Sequence, residues 1–114
     1  MKKTVSLTKN YEFMRLYKRG MNQFDYFLAT YVTKTKRPGN RLGITVSSKI
    51  GNAVVRNRVR RRIKESYLLL ENDLKSGYDI VIVARRSAAT ADFRRILKSL
   101  TILLKKAGLY ETTV

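Results

Sequence analysis

The chain has 114 residues, enough for one modest core, so we expect residues 1–114 to form a single domain. Its 25 Lys and Arg outnumber its 8 Asp and Glu and give a formal net charge of +17, which attracts the phosphates of nucleic acids. The absence of Cys excludes disulfides and thiolate metal sites, and the absence of a long apolar run or a secretory signal predicts a cytoplasmic protein.

The first predicted element is a helix over residues 8–19, with Gly20 as its C′ residue. Its apolar side chains recur at helical spacing: Phe13, Leu16 and Tyr17. Aromatic and β-branched residues then predict a strand over residues 24–33. The basic segment 34–40 holds the only proline and predicts a turn, so we expect a strand over residues 42–47 to pair antiparallel with the first strand.

The second half of the chain predicts a long helix, a buried strand and a last helix. The side chain of Asn52 can cap a helix that runs from residue 53 to about residue 74. Residues 78–84 form an apolar run that suits a strand buried on both faces. Thr90 or Asp92 starts the last helix, whose core stripe consists of Phe93, Ile96, Leu97, Leu100, Leu103 and Leu104. The resulting order, αββαβα, predicts an α+β sandwich with helices packed on a small mixed sheet.

Residues 56–64 concentrate positive charge, since six of the nine are cationic: Arg56, Arg58, Arg60, Arg61, Arg62 and Lys64. A helical projection gathers the apolar side chains on one face, which must lie on the sheet: Val55, Val59, Ile63, Tyr67 and Leu70. Arg58 and Asn57 lie among the cations of the opposite side, while Arg56 and Arg62 lie at its borders. A solvated charged surface is the plain alternative. However, Glu65 is the only acid nearby, and guanidinium groups match phosphate oxygens, so the helix predicts a contact with RNA.

Aromatic side chains supply the second half of an RNA-binding surface, because single strands are held by stacking on aromatic rings flanked by cations. One face of the predicted strand 24–33 carries Phe27, Ala29, Tyr31 and Thr33, and the other carries Tyr26, Leu28, Thr30 and Val32. Phe13 and Tyr17 lie together on the first helix. The pattern alone favours a place in the core over a base platform for each of these rings.

The sequence offers no self-sufficient hydrolytic site. It has no His, the usual acid or base near neutral pH. Its eight carboxylates are scattered, whereas a two-metal nuclease needs them clustered. The glycines Gly43 and Gly51 match no phosphate-cradling loop.

One segment carries a family resemblance. Arg56-Asn57-Arg58 follows the turn Gly51-Asn52-Ala53, which in turn follows a strand over residues 41–46. In this order and spacing the segment resembles the protein subunit of bacterial ribonuclease P, and the similarity extends over nearly the whole chain. Ser48 departs from the pattern, because many members of the family carry a second Lys at this position.

The resemblance implies the αββαβα fold with a left-handed βαβ crossover through the arginine-rich helix, a topology also known from a ribosomal-protein domain. It implies an RNA–protein enzyme that removes the 5′ leader of precursor tRNA. In that enzyme the RNA subunit and its Mg²⁺ ions do the chemistry, the protein alone is not catalytic, and no further protein partner is required. The RNA subunit would be bound through Lys49, Arg56, Asn57, Arg58, Arg60, Arg61 and Lys64. The single-stranded leader would lie in a cleft lined by Phe13, Tyr17, Tyr31 and Tyr110.

Two other classes of protein remain open. A small ribosomal protein or RNA chaperone would share the charge and the stacking surface but would have no effect on tRNA maturation. A stand-alone ribonuclease that uses Lys or Tyr would cleave RNA without an RNA subunit.

Overall fold

A computed structural model describes residues 4–111 of the chain, which form three helices and one five-stranded sheet. The helices are α1 (Asn10–Arg19), α2 (Ala53–Leu70) and α3 (Phe93–Lys106). The strands are β1 (Thr4–Ser6), β2 (Met21–Phe24), β3 (Leu28–Lys34), β4 (Asn40–Thr45) and β5 (Tyr78–Ala84). The α+β class and the αββαβα core are as predicted, with β1 and β2 as two further short strands.

The strand order is β1-β4-β5-β3-β2. The prediction that the strands over residues 24–33 and 42–47 pair as a hairpin is therefore wrong, because β5 separates β3 from β4. Strand β5 lies between β3 and β4, antiparallel to β3 and parallel to β4. The physical reason is its composition, since Ile80 to Ile82 are fully buried and need cover on both faces of the sheet. The bounds predicted for β5 are confirmed. The unit β4-α2-β5 is the crossover to which the resemblance assigns a left hand.

The strand predicted over residues 24–33 begins too early, because β3 starts at Leu28 and a tight turn joins it to β2, which ends at Phe24. The Oδ1 atom of Asp25 accepts hydrogen bonds from the backbone N–H groups of Phe27 and Leu28, both at 2.9 Å. Such a side-chain turn competes with extended backbone, and it lets β2 fold back on β3. The run of aromatic residues concealed this break.

The predicted caps of the two longer helices are confirmed. The side chain of Asn52 accepts a hydrogen bond from the Val55 N–H at 3.0 Å, and Asp92 accepts one from the Arg95 N–H at 2.9 Å. Helix α2 ends at Leu70 and continues as a 3₁₀ turn, which accounts for its longer predicted extent. Gly20 has a φ of −70° and therefore lacks the left-handed conformation common at C′ positions.

The two faces of the sheet are covered differently. Helices α2 and α3 cover the closed face, and Val59, Ile63 and Tyr67 of α2 are fully buried there, as the helical projection predicted. Helix α1 covers part of the other face, here called the open face. Its apolar core is small, with Leu16 and Val81 buried beneath half-buried aromatic rings.

Candidate RNA-binding surfaces

The outward side of α2 presents a positively charged surface, here called the arginine surface. Its exposed members are Asn57, Arg60, Arg61 and Lys64, together with Lys49 from the turn before the helix, while Arg56 is half-buried. The Asn52 cap and the buried side chain of Val59 orient these residues, because the first begins the helix and the second fixes its rotation.

Arg58 lies closer to the protein than the projection predicted, whereas Arg62 is half-buried at the border of the charged side, as predicted. Arg58 is half-buried rather than exposed, and its Nη2 donates to the carbonyl oxygen of Ala89 at 3.4 Å. Arg62 donates from Nη1 to the carbonyl oxygen of Ala91 at 2.7 Å. The cause is tertiary, since the chain between β5 and α3 passes beside α2 and offers these two carbonyl groups. Both arginines therefore help to hold that connection in place.

Three arginines of α2 donate side-chain hydrogen bonds to uncharged oxygens. Besides the two carbonyl contacts, Arg60 donates from Nη1 to the Oδ1 atom of Asn57 at 3.0 Å. A neutral acceptor orients a guanidinium group without cancelling its charge. The arginine surface therefore keeps a strong attraction for an anionic partner.

The open face carries an aromatic cluster in which Phe13, Tyr17 and Tyr31 come together. The rings of Tyr17 and Tyr31 meet edge to face, with centroids 5.2 Å apart and an interplanar angle of 77°. The Tyr17 hydroxyl lies 2.7 Å from the Oγ1 atom of Thr45, which fixes this ring against β4. These three residues are grouped as the resemblance implies.

Gly43, in the middle of β4, makes room for Phe13. A Cβ atom at this position would lie 2.5 Å from two carbon atoms of the Phe13 ring, closer than any real contact. Sequence analysis did not find this role, although a glycine inside a strand is a signal for the close approach of another group.

Tyr110 lies elsewhere, so the prediction of a four-residue cleft is wrong. It packs against the closed-face core, and its backbone forms an antiparallel bridge with Leu74. The chain turns back after α3 at Gly108, whose φ is +76°, and this turn carries Tyr110 to that side. The Nζ atom of Lys105 lies 5.4 Å from its ring centroid.

One ion cluster joins α1 to the sheet. Arg41 of β4 donates from Nε and Nη2 to the carboxylate of Asp79, at 2.8 and 2.6 Å, and from Nη1 to Glu12 of α1. The hydrogen bonds that Arg41 donates to Asp79 raise the pKa of Arg41 above its usual range. Strand pairing brings Arg41 and Asp79 side by side, and the sequence pattern gave no sign of this because the pairing is non-local.

Arg41 brings the carboxylates of Glu12 and Asp79 close together. Across residues 4–111 there is no group of three or more His, Cys, Asp or Glu side chains that could hold a metal ion. Over the same residues, no helix has both the length and the apolar character needed to cross a membrane.

Comparisons with known proteins agree on one family. The family model described as Ribonuclease P matches residues 1–108. The Ribonuclease P protein component of Clostridium botulinum is 48% identical over 109 residues, which cover 95% of this chain and 98% of the relative. The solved Staphylococcus aureus RNase P protein is 34% identical, with a TM-score of 0.86 over 93% of this chain and 97% of that one. A mutant of the Staphylococcus aureus protein, described as defective in mRNA degradation activity, gives 34% identity and a TM-score of 0.85 over 92% and 89% of the two chains.

Proposed function

We propose how this chain, which belongs to the ribonuclease P protein family, divides its RNA contacts between two surfaces. The family role is RNA binding and tRNA processing, and the chain is a protein subunit of the enzyme that matures tRNA 5′ ends. In our proposal the arginine surface binds the RNA subunit, and the aromatic cluster of the open face binds the 5′ leader of precursor tRNA. The observation that carries the proposal is that the arginine surface and the half-buried aromatic rings occupy different sides of the molecule.

The arginine surface suits a structured RNA because most of its side chains are held on one side of a single helix. The proposed contacts are Lys49, Arg56, Asn57, Arg58, Arg60, Arg61 and Lys64. Within the described residues the Nε atoms of Arg56 and Arg58 are buried and have no hydrogen-bond partner. Leaving a buried donor unsatisfied costs about 1–3 kcal/mol, and a phosphate oxygen would satisfy these donors once the side chains turn Nε toward the RNA. These two side chains therefore gain more from a bound phosphate than fully solvated ones.

The aromatic cluster suits a single strand. Tyr17 and Tyr31 are half-buried, so each ring keeps an accessible edge or face while its position is fixed. Ala29 and Val83 beside them are half-buried too, and they form an apolar floor that is only partly covered. Unpaired bases can stack there without sequence preference, which suits leaders of differing sequence. Tyr110 is not included, because it lies on the closed-face core.

The protein's part in the chemistry is binding. We propose that the Mg²⁺ ions are held mainly by the RNA subunit, since the carboxylates are dispersed and Arg41 engages two of them, Glu12 and Asp79. A cytoplasmic location belongs to the same proposal.

The test is reconstitution with a bacterial ribonuclease P RNA at low Mg²⁺. The chain should stimulate 5′ cleavage of precursor tRNA. Tyr31→Ala should weaken binding of a leader-bearing precursor by about 1–3 kcal/mol and leave mature tRNA unchanged. Met14→Ala is the control, because Met14 is an exposed apolar side chain of α1 outside the cluster and has no ring on which a base could stack. Equal weakening of precursor and mature tRNA by Tyr31→Ala would show that the cluster is not the leader site.

A second candidate function is RNA cleavage by the chain itself, and the mRNA degradation activity attributed to the Staphylococcus aureus relative favours testing it. The purified chain should be incubated with Mg²⁺ and either precursor tRNA or an mRNA, without the RNA subunit. We expect no cleavage, because no His is available and the carboxylates are scattered. Cleavage that follows the protein through purification would establish the second function.

A further inference from the structure

The turn between β2 and β3 holds two aromatic side chains in solvent. Phe24 is 62% exposed and Tyr26 is 74% exposed. The guanidinium carbon of Arg85 lies 5.4 Å from the centroid of the Phe24 ring. Tyr26, Arg85, Arg86 and Ser87 line a shallow depression of about 420 Å³. Exposed rings between arginines have the composition that binds unpaired bases and their phosphates.

This turn is fixed from several sides. The backbone N–H of Arg85 donates to the carbonyl oxygen of Phe27 at 2.9 Å, and its Nη1 donates to the carbonyl oxygen of Asp25 at 2.7 Å. The Ser87 hydroxyl donates to the carbonyl oxygen of Tyr26. The Oδ2 atom of Asp25 accepts a hydrogen bond from the Ser99 hydroxyl of α3 at 2.5 Å. Because the backbone is already ordered, binding a ligand here would need little further ordering of the protein.

The register of the sheet connects this turn to the aromatic cluster. Phe24 is paired with Ala29, Ala29 with Val83, and Val83 with Thr45, the residue that contacts the Tyr17 hydroxyl. Residues directly opposite each other in adjacent strands point to the same face, so this row crosses the open face from β4 to β2. Three strand spacings make the row about 14 Å long, enough for more than one base. Its inner members are half-buried, so part of the surface between its ends remains accessible.

We propose that Phe24 and Tyr26, with Arg85 and Arg86, form a second stacking subsite for single-stranded RNA. It takes leader nucleotides farther upstream than those in the aromatic cluster. The assignment to the leader rests on the function proposed above. The stacking surface itself rests on the exposure of the two rings and on the neighbouring arginines. A polyanion is the occupant because positive charge flanks the rings, and a single strand is the form because stacking on protein rings needs unpaired bases.

The experiment uses the reconstituted holoenzyme and precursor tRNAs with a series of leaders of increasing length. With the unaltered protein, the affinity for precursor tRNA should increase when the leader reaches the aromatic cluster. It should increase a second time when the leader is long enough to pass the cluster and reach Phe24 and Tyr26. Phe24→Ala and Tyr26→Ala should each abolish this second rise and weaken binding of long leaders roughly 5-fold or more. Short-leader precursors should bind as before. Met21→Ala is the matched control, since Met21 is 53% exposed on the same strand and has no ring.

The outcomes separate the two proposals. Equal binding of every leader length by Phe24→Ala, Tyr26→Ala and the unaltered protein would overturn the subsite. Weaker binding of the RNA subunit or of mature tRNA would overturn it as well, because the patch would then belong to another interface. A Tyr31→Ala protein without any leader-specific defect would instead remove the function proposed for the cluster. Both rings are exposed, so folding should survive, and each variant's thermal unfolding is measured first. If one variant fails to fold, the other carries the test.

Discussion

The two faces of the sheet are built on different principles. On the closed face, α2 and α3 enclose an apolar core in which Tyr67 is fully buried and its hydroxyl lies 2.8 Å from the Oγ1 atom of Thr4. On the open face, the ten residues of α1 are too few to cover the sheet. The ion cluster around Arg41 anchors that helix, and rings such as Tyr17 and Tyr31 stay half-buried.

The difference suggests where stability and binding reside. Apolar burial contributes most of the free energy of folding, so the closed face should dominate stability. The open face buries less apolar surface, and part of its aromatic surface stays exposed, where a ligand can cover it. Substitutions matched between the two faces should therefore separate into those that unfold the protein and those that weaken RNA binding.

The largest effect should come from Val59→Asp, which places a charge in the closed-face core. Val59 is fully buried, so we expect a loss of more than about 4 kcal/mol, most of the stability of a small domain. Val54→Asp is the control on the same helix, because Val54 is 72% exposed and should tolerate the change. Circular dichroism and urea unfolding would measure both. A folded Val59→Asp protein would contradict the account of the closed face.

Arg41→Met should be the most damaging single change on the open face. It leaves the carboxylates of Glu12 and Asp79 largely buried without their cation, at a cost of about 3 kcal/mol. Arg60→Met is matched in chemistry but lies on an exposed surface, so its free energy of unfolding should change by less than about 0.5 kcal/mol. Urea unfolding measures the free energy of unfolding of both variants. Equal losses would mean that Arg41 does not anchor α1.

Local signals gave the elements of the closed face well. The apolar run of β5 predicted its bounds, Asn52 predicted the start of α2, and Asp92 is one of the two starts expected for α3, because each signal depends on neighbours in the sequence. Strand order could not be predicted in this way. An apolar strand must be buried, but its sequence does not say which strands lie beside it, and the insertion of β5 between β3 and β4 is a non-local event.

The open face was harder to predict. Pattern alone favoured core positions for Phe13, Tyr17 and Tyr31, and their half-burial explains why the pattern could not separate core from binding surface. Their grouping came from the family resemblance. The predicted positions of Arg58 and Tyr110 were wrong for the same physical reason, because each depends on a segment that is distant in the sequence. Arg58 packs beside the β5–α3 connection, and Tyr110 pairs with Leu74.

A smaller effect, and one without a folding defect, is expected on the arginine surface, which forms the outer side of the closed face. Arg60→Ala or Arg61→Ala should weaken assembly with the RNA subunit by roughly 1–2 kcal/mol each. Each should also flatten the slope of log K against log salt by somewhat under one unit. Lys98→Ala, an exposed cation of α3, is the control for general charge. If both arginine variants bound the RNA subunit with unchanged affinity, the proposed RNA contact of α2 would be wrong.

The finest comparison sets one Tyr–Thr hydroxyl pair against another. Tyr67→Phe leaves the buried Thr4 hydroxyl without its partner and should cost about 1 kcal/mol at neutral pH, whereas Tyr17→Phe on the half-buried open face should cost less.

Burial raises the pKa of Tyr67 above its ordinary value of 10.0, so the folded protein holds this proton more tightly than the unfolded chain does. The stability from this difference is fully present below about pH 10 and is lost as the pH rises through the folded-state pKa. Tyr67→Phe removes the titrating group, so its stability should fall less steeply above pH 10 than that of the unaltered protein, against a background of lysine deprotonation that both share. Urea unfolding from pH 7 upward measures the two curves. Parallel alkaline curves would mean that the Tyr67 hydroxyl is not shielded from water as the closed face requires.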